Sequence, residues 1–236
     1  MTLKKQNKIH MKTIYIFILS AFALSSCRNY YIAHDFNQRT ANHRTIAIAP
    51  LEMIFTGNKP NNLSDADLKR LEEGESRAFM ISLYNEILRS TRGGKKPIRV
   101  SIQSVNNTLS ALEGNGISIR DSWKLSSVQL AQILGVDAVV QGSITKKRYM
   151  SDLASFGIDL GTQILDIFTG GMAGANVPQQ ATRTNDIRAS YSLSSAGDGT
   201  TLFSQAFEYE ADWDNTTEEI ITYINRRFAR NFPYRK

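Results

Sequence analysis

The stretch Leu134-Gly-Val-Asp-Ala-Val-Val-Gln-Gly-Ser-Ile144 constrains the fold of this chain more than any other. A helical pattern that opens near Ser126 runs out at Leu134, Gly135 supplies the left-handed position that ends a helix, and a β-branched run begins at once. A helix that passes into a buried strand with no intervening loop points to helices layered on a sheet. Gly142 inside that strand marks a bulge or a close backbone approach.

The rest of the chain supplies the other layers. Thr45-Ile-Ala-Ile-Ala-Pro50 reads as a buried first strand that stops at its proline. Ser64-Asp-Ala-Asp67 is a capping-box-like start for a long helix whose apolar positions, Leu68, Leu71, Phe79, Leu83 and Ile87, run on toward Gly93-Gly94. Its acids Asp65, Asp67, Glu72, Glu73 and Glu75 suit the helix dipole and read as a solvated face. A short strand spans Ile98 to Ile102, followed by a polar loop with Gly114-Asn115-Gly116. Ile187, Ala189, Tyr191 and Leu193 alternate with Arg188, Ser190, Ser192 and Ser194, so one face of that strand is wet. Gly197-Asp198-Gly199 turns it into a return strand from Leu202 to Ala211. A last helix begins around Asn215 with Glu218 and Glu219, buries Ile220, Ile221, Ile224 and Phe228, and ends in Arg226, Arg227 and Arg230. The order strand, helix, strand, helix, strand, hairpin, helix predicts a single α/β or α+β domain over residues 45–236, a mixed sheet with helices packed on it.

Ahead of the domain, four lysines precede Ile14-Tyr-Ile-Phe-Ile-Leu-Ser-Ala-Phe-Ala-Leu24, an apolar run of 11 residues. A helix needs about 20 to cross a hydrocarbon core, so the run reads as the apolar region of a secretory signal peptide over residues 1–26. Met11 offers a second start, and the function does not depend on which is used. Leu24-Ser25-Ser26-Cys27 resembles the bacterial lipobox. The resemblance implies that Cys27 receives a diacylglyceryl group on its sulfur, that cleavage falls just before it, and that its new amino group is acylated. Three acyl chains, at about 0.8 kcal/mol per buried methylene, hold a protein on a membrane permanently for practical purposes. By the same resemblance Arg28 is not the aspartate that retains such proteins in the inner membrane. Arg28-Asn29-Tyr30-Tyr31 also lacks an acidic surface-export cluster. Both imply an outer-membrane anchor that faces the periplasm.

Charge removes one class of partner. The formal charge is +6, but Lys4, Lys5, Lys8 and Lys12 lie ahead of Cys27, and without them 24 cations face 22 acids for a net +2. The domain therefore has no basic footprint for nucleic acid. One cysteine supports neither an intramolecular disulfide nor a multi-cysteine metal site. Residues 27–44 are polar with little periodicity and read as a lipidated tether that reaches some 55 Å at about 3.3 Å per residue. His34 and His43 read as solvated within it. Between Met150 and Thr184 lies an insertion in which Phe156, Leu160, Ile164 and Phe168 recur at helical spacing, before a glycine-rich tail. A connection of that length is usually functional, so these four are candidate membrane or partner contacts; the other reading packs them back on the domain.

The opening strand soon after Cys27, the Leu134 to Ile144 junction and the Asp198-Gly-Thr-Thr-Leu-Phe-Ser204 hairpin together resemble one family of envelope domains. Its members are the curli secretion channel lipoprotein, the outer-membrane lipoprotein activators of penicillin-binding proteins and the amino-terminal domain of TolB. The insertion falls where the curli channel has a membrane-spanning hairpin, yet it lacks the alternation of strands about 9 to 11 residues long that a barrel needs. No Gly-x-Ser-x-Gly elbow, phosphate loop or His-Glu-x-x-His is present. Glu208 and Glu210 read as a solvated edge, and Asp137 and Asp198 as junction and turn residues. With no catalytic motif found, the chain reads as a non-enzymatic, cofactor-free lipoprotein, and the resemblance implies that it binds a partner in envelope assembly or secretion. The alternative is a subunit of an oligomeric outer-membrane secretion channel.

Overall fold

The structure is a computed structural model, and it describes residues 30–57, 64–91, 97–147, 186–210 and 217–235. Seven strands form one mixed sheet in the order β1-β7-β6-β5-β2-β4, with β3 paired to β5. The strands are β1 (Tyr30–Ile32), β2 (Thr45–Ile48), β3 (Glu52–Phe55), β4 (Ser101–Ile102), β5 (Ala138–Lys146), β6 (Asp186–Ser195) and β7 (Thr201–Glu210). The helices are α1 (Phe36–Arg39), α2 (Asp65–Arg89), α3 (Val105–Gly114), α4 (Ile119–Ser122), α5 (Ser127–Leu134) and α6 (Thr217–Arg230). The mixed sheet with packed helices is the architecture that the element order predicts.

The junction behaves as the sequence demands. Ser126 and Gln129 form a capping box at the start of α5, and Gly135 takes φ 65° at its end. The chain then enters β5, whose first half pairs in parallel with β2 and whose second half pairs in parallel with β3. The first strand does stop short of Pro50, at Ile48, and β3 opens two residues after the proline. Ile48 faces Val140 while Glu52 faces Ser143, so one extra residue is absorbed between β2 and β3. The proline sits at that irregularity, where no ladder donor is required. Gly142 is the close approach: a Cβ there would collide with the carbonyl oxygen of Ser190 on β6 and lie 3.3 Å from Leu51.

Alternation along the strands sends side chains into two cores. Ile46, Ile48, Val140, Ile144, Tyr191 and Phe203 pack with α2 and α6 on one face. Ala47, Ala49 and Val139 pack with Leu112, Leu130 and Leu134 of α3 and α5 on the other. The second cover reaches only one end of the sheet. Beyond it, the face formed by Glu52, Ser143, Thr145, Arg188, Ser190 and Glu208 is set with small or charged side chains, the wet face that the β6 alternation predicts. A three-membered link ties the main core together: the Tyr191 hydroxyl donates to Asn225 Oδ1 at 2.7 Å, and Asn225 Nδ2 donates to the Phe79 carbonyl at 3.0 Å.

Three sequence expectations need correction. Residues 30–44 belong to the domain: Tyr30, Tyr31 and Ile32 face Gln205, Ser204 and Phe203 of β7, and Phe36 is buried. The partner strand lies some 170 residues away in sequence, so no local pattern announces the pairing. The polar loop before Gly114 is in fact α3, capped by Ser104, with Val105, Thr108 and Leu112 buried. The strand from Ile98 shrinks to Ser101–Ile102, and Ile98 instead bridges Arg235.

Candidate functional site

Cys27 and the lipobox residues Leu24, Ser25 and Ser26 lie outside the described residues, but the segment they lead into is firmly held. Tyr30 stacks on Phe203 with ring centroids 5.6 Å apart, and Phe36 meets Tyr234 edge-on at 5.3 Å. The Thr40 hydroxyl caps the Phe36 carbonyl at 2.7 Å. Arg39 reaches both Asp35 and Asp198 at 2.8 Å, which ties α1 to the tip of the β6–β7 hairpin. The guanidinium holds the Asp198 carboxyl far below the usual carboxylate range. His43 is no solvated residue: its Nδ1 lies 2.5 Å from the Tyr234 hydroxyl, and burial pushes its pKa below the ordinary value. His34, by contrast, has a side chain 98% exposed, as a linker histidine should.

A second feature sits where β5, β6 and β7 end. The insertion 150–184, with Phe156, Leu160, Ile164 and Phe168, lies outside the described residues, but both of its attachment points are visible. Lys147 Nζ pairs with Asp186 at 2.7 Å, and the Lys147 N–H donates to the Asp186 carbonyl at 3.2 Å. The neck of the insertion is therefore closed by the β5–β6 ladder itself. Beside it opens a groove of about 380 Å³ lined by Thr56, Thr145, Arg188 and Glu208 among others. Glu208 pairs with Arg188 at 3.1 Å on the exposed face, in keeping with a solvated edge.

Beneath that end lies a charge pair that the sequence reading placed in solvent. Glu75 is fully buried and bonds Lys146, whose ammonium stands 5.8 Å over the Phe79 ring. Glu72 is buried as well and takes a 2.6 Å bond from Arg120, with its carboxyl raised chiefly by desolvation. Glu86 receives Arg226 at 3.3 Å and Arg89 at 3.0 Å. Glu72, Glu75 and Glu86 thus face inward, where each clasps a cation from another element or the next turn, while Asp65, Asp67 and Glu73 stay on the outer side as the sequence suggests. Helical phase explains this: residues 72, 75, 79, 83 and 86 share a face, and 79 and 83 are core phenylalanine and leucine. Arg226 accordingly has a carboxylate partner, and Arg227 lies 5.1 Å over the Phe207 ring, so the basic end of α6 is not only dipole placement.

Asp137 and Asp198 hold the roles expected of them. Asp137 accepts the N–H groups of Arg44 and Thr45 at 2.7 and 2.8 Å, which fixes the start of β2 against the start of β5. Asp198 accepts the Thr200 N–H at 3.0 Å within the hairpin turn. Among the described residues, no group of three or more histidine, cysteine or acidic side chains could hold a metal ion, and no helix is long and apolar enough to cross a membrane.

No protein-family model matches the sequence, and no curated protein matches it either. Among solved structures, the chain is similar to the LpoB C-terminal domain from Salmonella enterica, at 13% identity and a TM-score of 0.36 over 72% of this chain and 84% of that one. It is similar to lipoprotein GNA1162 from Neisseria meningitidis at 14% identity and a TM-score of 0.40, covering 79% and 94% of the two chains. The PelC dodecamer from Paraburkholderia phytofirmans gives 9% identity and a TM-score of 0.40 over 82% and 90%. Likeness of this degree carries neither partner nor activity across.

Proposed function

We propose that this chain is a non-enzymatic lipoprotein of the bacterial envelope, held on the outer membrane by acylated Cys27 and facing the periplasm. There its domain binds a protein partner in envelope assembly or secretion. One observation carries the reading. The segment that begins three residues after Cys27 is already a strand of the sheet, so lipid on that sulfur would hold the whole domain at the membrane surface. The use of charge supports the non-enzymatic part. The buried acids Glu72, Glu75 and Glu86 are spent on ion pairs that join elements, and Asp137 and Asp198 on backbone turns. The partner reading rests on the resemblance of the junction and hairpin segments to envelope lipoproteins.

Two experiments test the proposal. Replacing Cys27 with serine should move the protein from the membrane fraction to the soluble fraction, and a Cys27→Ser protein that still sediments with membranes contradicts the anchor. Crosslinking in intact cells should join the wild-type protein to an envelope protein at a defined site. Recovery of the uncrosslinked protein alone would contradict the partner.

A further inference from the structure

We propose that the uncovered face of the sheet is the docking surface for a basic segment of the partner protein; this rests on the partner reading above and gives that partner its site. To the face already described the registers add two apolar side chains. Tyr31 stands opposite Ser204, which is in line with Ser192, and Ile54 stands opposite Thr145. Glu210 and Asp186 extend the face past Glu208 and Arg188.

Parallel strand pairs are normally covered on both sides. β3 and β5 are such a pair, yet Ile54 on their outer side is 37% exposed, and Tyr31 across the sheet is 53% exposed. Trp123, just past α4, walls a depression of about 300 Å³ floored by Gln141, Ser143 and Ser190. The groove beside the neck of the insertion opens on the same face, around Thr145, Arg188 and Glu208. From β3 across β5 and β6 to β7 is three strand spacings, about 14 Å at ~4.8 Å each. A single helix with its side chains, about 10–12 Å across, fits that width, and the serines beneath are small enough to let it come close.

Charge selects the occupant. Asp186 is matched by Lys147, and Glu208 by Arg188. Glu52 and Glu210 are exposed and have no cationic partner among the described residues. Four carboxylates thus meet two cations on this face, whereas the chain from Cys27 onward carries 24 cations against 22 acids. The acid excess belongs to this surface and not to the chain. Lysine or arginine on the incoming segment pairs with Glu52 and Glu210, and its apolar groups rest on Ile54, Trp123 and Tyr31.

The test places the photocrosslinker p-benzoylphenylalanine in the full lipoprotein in intact cells, either at Ser190, exposed in the middle of the face, or at exposed Glu113 on α3. Position 190 should join another envelope protein at least fivefold more than position 113, and the crosslinked peptide should carry lysine or arginine beside the link. The Glu52→Lys/Glu210→Lys variant should lose that adduct at least fivefold. Exchanging the partner's basic residues for glutamate should restore it to the reversed chain. Both acids are exposed, so an unchanged thermal midpoint confirms that the variant is folded. An adduct that ignores the charge reversal, or that forms with a second copy, with residues 148–185 of the same chain or with a glycan, overturns the proposal. No adduct at 190 also overturns it, and leaves the partner reading standing where a general lysine crosslinker still joins the protein to an envelope protein. If that reagent joins nothing either, both fall.

Discussion

Single residues decide where the backbones of this sheet can meet. At Gly142 the strands β5 and β6 approach until a methyl group would strike the Ser190 carbonyl. Gly142→Ala should destabilise the domain by about 1–3 kcal/mol, the usual cost of overpacking, seen as a lower midpoint in thermal or urea unfolding. An unchanged midpoint would show that the strands can part at no cost. His43 sets a pH dependence. Burial lowers its pKa in the folded state, so folding favours the neutral ring. The stability it contributes is whole above the unfolded value near 6.5 and drains away as pH falls through the lower folded value. Thermal midpoints between pH 7.5 and 5 should therefore drop for the wild type and drop less for His43→Gln. Equal slopes would remove His43 from the account. Asp137 and Tyr234 face the ring, and neither titrates in that window, because one is held low and the other high.

Elements differ in how openly the sequence declares them. The α5–β5 junction, the β6–β7 hairpin and α6 are written in local signals: a glycine after a helical stripe, period-two alternation around Gly-Asp-Gly, and acids before arginines. α3 was hidden because its apolar residues are diluted by asparagine and serine, although Ser104 stood ready as its cap. β3 escapes the sequence because Pro50 marks the end of β2 but not the return of the chain to β5 one residue out of step. β1 was hidden because a three-residue strand gains its meaning only from β7. The inward acids of α2 were misread for a similar reason: the sequence shows the carboxylates but not Arg120, Lys146 and Arg226 arriving from elsewhere. The same element view yields a prediction for the insertion. Its neck is closed by the Lys147–Asp186 pair and the ladder below. Replacing residues 148–185 with a two-residue Asn-Gly turn should leave cooperative melting in place, since such turns suit an antiparallel pair. Loss of the cooperative transition would place Phe156, Leu160, Ile164 and Phe168 in the core instead of at a contact surface.

The whole molecule is a sheet whose main core is closed by two long helices, and under the proposed acylation of Cys27 its first strand is also where the lipid anchor would attach. That double use separates this arrangement from a domain on a flexible leash. A leash of 17 residues would sweep a wide shell of periplasm, whereas a lead of three peptide units from an acylated Cys27 would confine the domain to the membrane surface. Partners of such a protein must come to the bilayer. All of this depends on the chemistry at one sulfur, and the intact mass of the protein purified from membranes tests it most directly. The account predicts a chain that begins at Cys27 and carries the added mass of a diacylglyceryl thioether and an amide-linked acyl group. A chain that retains residues before Cys27, or that begins there with a free thiol, would contradict it.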